Sequence, residues 1–123
     1  MVNGFAHIAL YTDRFEETIA FYINAFGAVS LGRFVTDKRG CWLKIGSDIL
    51  EIFESGHMGD GAFKHIAIAC DDADLLFEKA ISCGAAAHVM PKDIHLELTE
   101  PVSARIAFVR GINGEQIELF EQR

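Results

Sequence analysis

Two histidines and two glutamates in this sequence recur in matched surroundings. His7 stands in Phe5-Ala6-His7-Ile8-Ala9-Leu10-Tyr11-Thr12-Asp13, and His65 in Phe63-Lys64-His65-Ile66-Ala67-Ile68-Ala69-Cys70-Asp71. Glu51 and Glu118 recur in Leu50-Glu51-Ile52-Phe53-Glu54 and Ile117-Glu118-Leu119-Phe120-Glu121. Neutral imidazole nitrogens and carboxylate oxygens together suit a borderline divalent cation such as Ni, Co or Zn. Two carboxylates buried among phenylalanines would be strongly disfavoured without a compensating positive charge, which one such cation supplies. A lone histidine in a strand is most often a hydrogen-bonded core or edge residue, and a lone glutamate near a strand end usually faces water. Repetition of both types in both halves favours ligation over either ordinary role.

The elements that must position these groups follow from periodicity. Residues 5–11 alternate, with Phe5, His7, Ala9 and Tyr11 on one face and Ala6, Ile8 and Leu10 on the other, which predicts a half-buried strand. The apolar set faces a helix and leaves His7 on the opposite side. Thr12-Asp13 followed by Glu16 has the pattern of a capping box, and Phe15, Ile19, Tyr22, Ile23 and Phe26 have helical spacing up to a C-capping Gly27. Strands are predicted at residues 28–36, 40–45 and 49–54, with turns at Asp37-Lys38-Arg39-Gly40 and Gly46-Ser47-Asp48.

The same order repeats: a strand at residues 63–70, a helix capped by Asp71-Asp72 and ended by Gly84, then strands at 85–90, 104–109 and 116–121. Residues 91–103 hold both prolines and read as a loop or irregular hairpin. The chain thus divides into a first βαβββ module (1–55), a linker (56–62) and a second module (63–123), together one domain. In each closing strand the glutamate shares a face with a phenylalanine, Glu51 with Phe53 and Glu118 with Phe120. If the modules build one curved sheet, all four candidate ligands line its inside.

Composition narrows the functional classes. Half of the 123 residues are apolar and ten are Phe, enough for a sizeable core. A formal net charge of -7 without a basic run excludes a nucleic-acid or anionic-membrane partner. Neither a secretory leader nor an apolar stretch of membrane-spanning length is seen. Cys41, Cys70 and Cys83 lack metal-site or redox spacing and read as reduced thiols of a cytoplasmic protein. His57, His88 and His95 read as surface residues, Glu54 and Glu121 as solvent-facing. Tyr11 and Trp42 read as cavity lining rather than as catalytic groups. Ser47, Ser55 and the cysteines lack the flanking pattern of an activated nucleophile.

The chain resembles the vicinal oxygen chelate superfamily (glyoxalase I, bleomycin resistance protein, extradiol dioxygenase), and within it the glyoxalase I branch. The resemblance spans nearly the whole chain. It rests on the segments around His7 and His65, on Ala20-Phe21-Tyr22 and Phe26-Gly27, and on Ile106-Ala107-Phe108-Val109 with Gly114-Glu115-Gln116-Ile117-Glu118-Leu119. It implies an α+β fold of two paired βαβββ modules forming an incomplete β-barrel, usually in a homodimer. It also implies a single divalent metal (Ni, Co or Zn) held by His7, Glu51, His65 and Glu118. The implied activity is that of a lactoylglutathione lyase-like lyase or isomerase, which moves a proton through a metal-bound enediolate of a small-molecule substrate. Glu118 would serve as general base, Glu51 as its counterpart across the substrate, and Tyr11, Trp42, Phe53 and Phe120 would line the substrate cavity.

Departures from that branch shape the expectation. Tyr11 stands where glutathione-using members usually carry Arg, and Ser55 where they often carry Asn. Leu96-Glu97-Leu98-Thr99-Glu100 is apolar and acidic where a cation is common. The expected chemistry is therefore the metal-assisted proton transfer without support for glutathione. Two alternatives remain. One is a three-ligand dioxygenase or fosfomycin-resistance-like enzyme with Glu51 as a bystander. The other is a metal-free, bleomycin-resistance-like protein that sequesters a ligand.

Overall fold

The computed structural model describes residues 1–56, 62–111 and 116–123, except for the side chains of Phe21, Ala25 and Phe26. Most of the expected linker, with His57, and the expected turn residues Ile112, Asn113 and Gly114 lie outside the described residues. So does the expected contribution of the Phe26 side chain to the helix face.

The elements run β1 (Val2–Thr12), α1 (Phe15–Phe26), β2 (Val29–Val35), β3 (Arg39–Ile45) and β4 (Asp48–Glu54). They continue with β5 (Phe63–Cys70), α2 (Ala73–Ser82), β6 (Ala86–Leu96), β7 (Val102–Arg110) and β8 (Gln116–Gln122). The βαβββ order occurs twice. By compactness the chain forms two units, one of residues 7–64 and 96–101 and the other of residues 1–6, 65–95 and 102–123.

In the first unit the strands lie in the order β2-β3-β4-β1. β4 pairs antiparallel with β3 and parallel with β1, with Ala9 opposite Glu51 and Tyr11 opposite Phe53. The core gathers Leu10, Phe15, Ile19, Ala28, Cys41, Leu43, Leu50 and Ile52, so α1 covers the face of β1 opposite His7. Ile8, expected on that covered face, remains 43% exposed because Phe15 and Ile19 gather around Leu10.

The expected capping box does not form. Helix α1 starts after Arg14, without a side-chain cap. The Arg14 amide donates to Thr12 Oγ1 at 2.9 Å, and Thr18 Oγ1 donates to the Arg14 carbonyl at 2.7 Å. Glu16 is instead held by a two-pronged bond from the Arg33 guanidinium of β2, at 2.6 and 2.7 Å, with Arg39 of β3 at 3.2 Å. A guanidinium fork offers a carboxylate more than one backbone amide does. At the other end Gly27 takes the left-handed conformation at φ 69°, as expected of a C-cap.

Residues 96–101 close this unit. Leu96 and Leu98 are buried, and the Thr99 amide donates to the Leu31 carbonyl of β2 at 2.9 Å. The contact requires Gly32, whose φ is 127° and whose position would set a Cβ 2.5 Å from the Thr99 nitrogen.

In the second unit the order is β5-β8-β7-β6. β5 runs parallel to β8 with Ala67 opposite Glu118, and β7 runs antiparallel to β8 with Phe108 opposite Glu118. Cys70, Ala73, Phe77, Ala107, Val109 and Leu119 form its core beneath α2. Asp72 caps α2 as expected, accepting from the Leu75 amide at 3.0 Å, and the helix ends at Cys83, just before Gly84. Arg105 of β7 ties down Asp74 through two bonds of 2.6 and 3.0 Å.

Two expectations for this unit are corrected. The segment from residue 91, read as a loop or irregular hairpin, continues as strand through Leu96 with Pro91 inside it. Its loop alternative is thereby corrected, while β6 and β7 are neighbours in the sheet. β6 is the outermost strand, where a residue without an N–H is tolerated. Glu121 does not simply face water, because its Oε1 accepts the Ala73 amide at 2.8 Å and its Oε2 takes Arg123 Nε at 2.8 Å. Its exposed counterpart Glu54 ion-pairs with Arg39 at 2.8 Å. Among the described residues no helix is long and apolar enough to cross a membrane.

Two predictions follow from these contacts. Gly32→Ala combines a strained φ with a backbone clash and should cost about 1–3 kcal/mol in chemical denaturation. Gly27→Ala, at φ 69° with no atom within 4 Å, should cost less; equal losses would mean that Thr99 yields freely. The hydrogen bond from Arg33, and then its charge, lower the Glu16 pKa from its ordinary 4.5. A carboxyl depressed on folding stabilises above its unfolded value and loses that contribution as pH falls through the folded one. The stability difference between wild type and Glu16→Gln should therefore be full at neutral pH and vanish below the Glu range. It should also be small, because the pair is exposed to solvent.

Candidate metal centre

In the first unit the alternation of β1 puts His7, Ala9 and Tyr11 on one face, and the parallel register brings Glu51 and Phe53 of β4 onto it. His7 Nε2 lies 3.3 Å from Glu51 Oε1, and the two side chains are only 1% and 7% exposed. The other carboxylate oxygen, Oε2, accepts a 2.7 Å hydrogen bond from the indole Nε1 of Trp42, which stands opposite Glu51 in the β3–β4 ladder. The Trp42 ring also lies 5.6 Å from the imidazole of His7, tilted by 43°. Trp42 therefore does more than line a cavity, because it orients Glu51 so that Oε1 faces His7.

The second unit builds an equivalent pair from β5 and β8. His65 Nε2 lies 3.1 Å from Glu118 Oε1, with side chains 8% and 7% exposed. The residue opposite Glu118 in the neighbouring strand is Phe108, at the place that Trp42 holds opposite Glu51. Phe108 packs edge-on against His65 at 5.3 Å, but its ring has no N–H to donate. The two pairs are thus alike in their facing atoms and differ in the residue opposite the glutamate.

Of the expected lining residues, Tyr11 and Phe53 are half-buried and meet edge-on at 5.8 Å. Phe120 is buried, opposite Ile106 and Ala69 in its ladders. His88 and His95 are exposed, as expected; His95 Nδ1 lies 2.9 Å from Ser103 Oγ. Ser55, which stands where glutathione-using members often carry Asn, is buried, and its amide donates to the Thr12 carbonyl at 2.8 Å. Burial pushes the Cys41 and Cys70 thiols up, which keeps them protonated and weakly nucleophilic. A further acidic group, Asp72, Asp74 and Glu121, is engaged in capping α2 and binding Arg105 and Arg123.

The facing atoms are of the right type and spacing for metal ligation. Two bonds of about 2.1 Å to one cation place adjacent ligand atoms roughly 3.0 Å apart at right angles and 3.4 Å apart at a tetrahedral angle. The 3.3 and 3.1 Å separations fall in that span. Each pair can therefore serve as two neighbouring ligands of a divalent ion with little rearrangement.

The fold and family follow from comparison with known proteins. A hypothetical protein of Bacillus halodurans C-125 superposes with a TM-score of 0.79 at 18% identity, covering 97% of this chain and 94% of that one. Methylmalonyl-CoA epimerase from Mycobacterium tuberculosis matches with a TM-score of 0.79 at 16% identity, over 97% of this chain and 87% of its own. A triple mutant of 4-hydroxymandelate synthase from Streptomyces coelicolor gives 0.78 at 22% identity, over 97% of this chain and 38% of its own. No curated protein matches the sequence. At such identities the likeness establishes the two-module βαβββ fold. The family model of the Glyoxalase/Bleomycin resistance protein/Dioxygenase superfamily matches residues 4–119, and the chain belongs to that superfamily.

Proposed function

We infer that this protein is a divalent-metal-dependent lyase or isomerase of the glyoxalase I type, acting by proton transfer on a small oxygenated substrate. The observation that carries this reading is the doubled pair: each module buries an imidazole Nε2 against a glutamate Oε1 at repeat-equivalent positions. His7, Glu51, His65 and Glu118 together would hold one cation, Ni, Co or Zn. When bound, the cation supplies Lewis-acid stabilisation of charge developing on substrate oxygens.

The indole of Trp42 donates to Oε2 of Glu51 and leaves Oε1 toward His7, as suits a ligand. The base's role is assigned to Glu118 by the resemblance to the glyoxalase I branch. Glu118 takes the proton from a substrate carbon and returns it to the neighbouring carbon; in an epimerase Glu51, its counterpart across the substrate, would deliver a proton to the same carbon from the opposite face. His7 and His65 remain ligands throughout. Likeness to an epimerase fold supports proton transfer without distinguishing its outcome.

An oxygen-using site of three ligands is the second reading, supported by the likeness to 4-hydroxymandelate synthase. In that case Glu51 would be a bystander. Its burial against His7 argues for ligation instead. Val2, Phe5 and Phe63 are each more than half exposed. Large apolar side chains left open in this way support a homodimer.

Elemental analysis of the purified protein should give about one divalent metal per chain, and a folded His7→Ala/Glu118→Ala variant should hold little. Metal absent from the wild type even after reconstitution would favour ligand sequestration. Glu118→Gln should retain metal yet lose at least about 100-fold in turnover of hemithioacetals or 2-oxo acyl thioesters, and in solvent-deuterium exchange into them. Full activity in that variant would remove Glu118 from the base's role. Trp42→Phe deletes only the indole donor and should weaken metal affinity by about 10- to 100-fold; unchanged affinity would mean that Glu51 needs no such anchor.

A further inference from the structure

The two modules fill the space between helix and sheet unequally. In the first unit Tyr22 and Ile23 of α1 pack against the core that holds Leu10, Leu43 and Leu50. Leu10 and Leu50 are only 6% and 8% exposed there, and Leu43 is fully buried. In the second unit the places of those three belong to Ile68, Val109 and Ile117. Ile68 follows Leu10 by 58 residues, as His65 follows His7. Val109 stands opposite Ile117 as Leu43 stands opposite Leu50. The helix residue 58 places after Tyr22 is Ala80.

Ala80 lacks the ring that its counterpart brings, and a cavity of about 510 Å³ opens there. Ile68, Leu76, Ala80, Cys83, Val109 and Ile117 are among the residues that line it. Ile68, Leu76 and Ile117 stay half-buried, although they belong to the apolar side of the sheet and helix. Leaving such surface open to water forgoes about 25 cal/mol per Å². None of the described lining residues is charged, and Cys83 alone among them has a polar side-chain atom. The volume falls in the range of small-molecule sites, about 300–1,000 Å³.

We propose that this cavity is a binding site for a small uncharged aromatic molecule, whose ring takes in the second unit the place that Tyr22 fills in the first. The lack of a lining charge selects a neutral ligand, since an ion buried there would go unpaired. A flat ring suits a gap where the sister module holds one, and the polarisable sulfur of Cys83 favours contact with it. The site is separate from the candidate metal centre. By the alternation of a strand, Ile68 and Ile117 lie on the face of β5 and β8 opposite the one that carries His65 and Glu118. A ligand held there binds only the folded second unit and so stabilises it.

The test uses the full chain as purified, with toluene and p-cresol (the tyrosine side chain as a free molecule) as probes. Isotopically labelled methyl groups are followed by NMR. Signals of Ile68, Leu76 and Ile117 should shift saturably with either probe, while those of Leu10 and Leu50 stay fixed. The same occupancy should slow alkylation of Cys83, the exposed one of the three cysteines, several-fold. Ala80→Tyr supplies the missing ring and should abolish both responses while raising Tm. If that variant does not fold, the methyl shifts and Cys83 rates of the wild type decide alone. Methylcyclohexane, of similar bulk without a flat ring, should bind several-fold more weakly; equal binding would overturn the aromatic assignment. Methyl signals that do not move, or a Cys83 rate indifferent to the probes, overturn the site. A Cys83 rate that falls with protein concentration and not with probe assigns the cavity to a second copy of the chain and overturns it likewise.

Discussion

The structure turns on the cost of keeping a carboxylate out of water. An unpaired buried glutamate is penalised by several kcal/mol, and a neighbouring imidazole alone does not neutralise it unless protonated. Glu51 and Glu118 are nonetheless nearly as buried as the aliphatic core, each with an oxygen turned toward an Nε2. Much else serves that placement: the parallel registers β1–β4 and β5–β8, the small Ala9 and Ala67 beside the pairs, and the helices that cover the opposite faces. A divalent cation, as proposed, would compensate for that burial.

The two modules repeat one order of elements and differ in what surrounds their His–Glu pairs. Trp42 and Phe108 occupy equivalent ladder positions, yet only the indole donates to a carboxylate. Tyr11 meets Phe53 edge-on, where the second module has Ala69. Glu54 pairs with Arg39 at the surface, while Glu121 turns inward to the first amide of α2.

Much of this was legible in the sequence because its determinants are local. Alternation in residues 5–11 and 63–70, the glycine after α1 and the aspartate before α2 act over a turn or less, and the elements formed there. The failures have long-range causes. Nothing near Glu16 announces that Arg33, on another strand, will take it from the capping role. Pro91 reads as a breaker until β6 is known to be outermost. The bond from Trp42 to Glu51 depends on the β3–β4 register, which the turn Gly46-Ser47-Asp48 could have suggested by counting back from it. Gly32 falls within the strand predicted at residues 28–36, and the segment that demands its missing side chain comes much later in the chain.

The central claim is that pairs from both modules share one cation. X-ray absorption at the edge of the bound metal tests it directly, since imidazole rings scatter differently from carboxylates. Two imidazoles per metal in the wild-type protein, falling to one in His7→Ala and equally to one in His65→Ala, is the predicted result. A single imidazole in the wild type, or a spectrum unaltered by either substitution, would contradict the account.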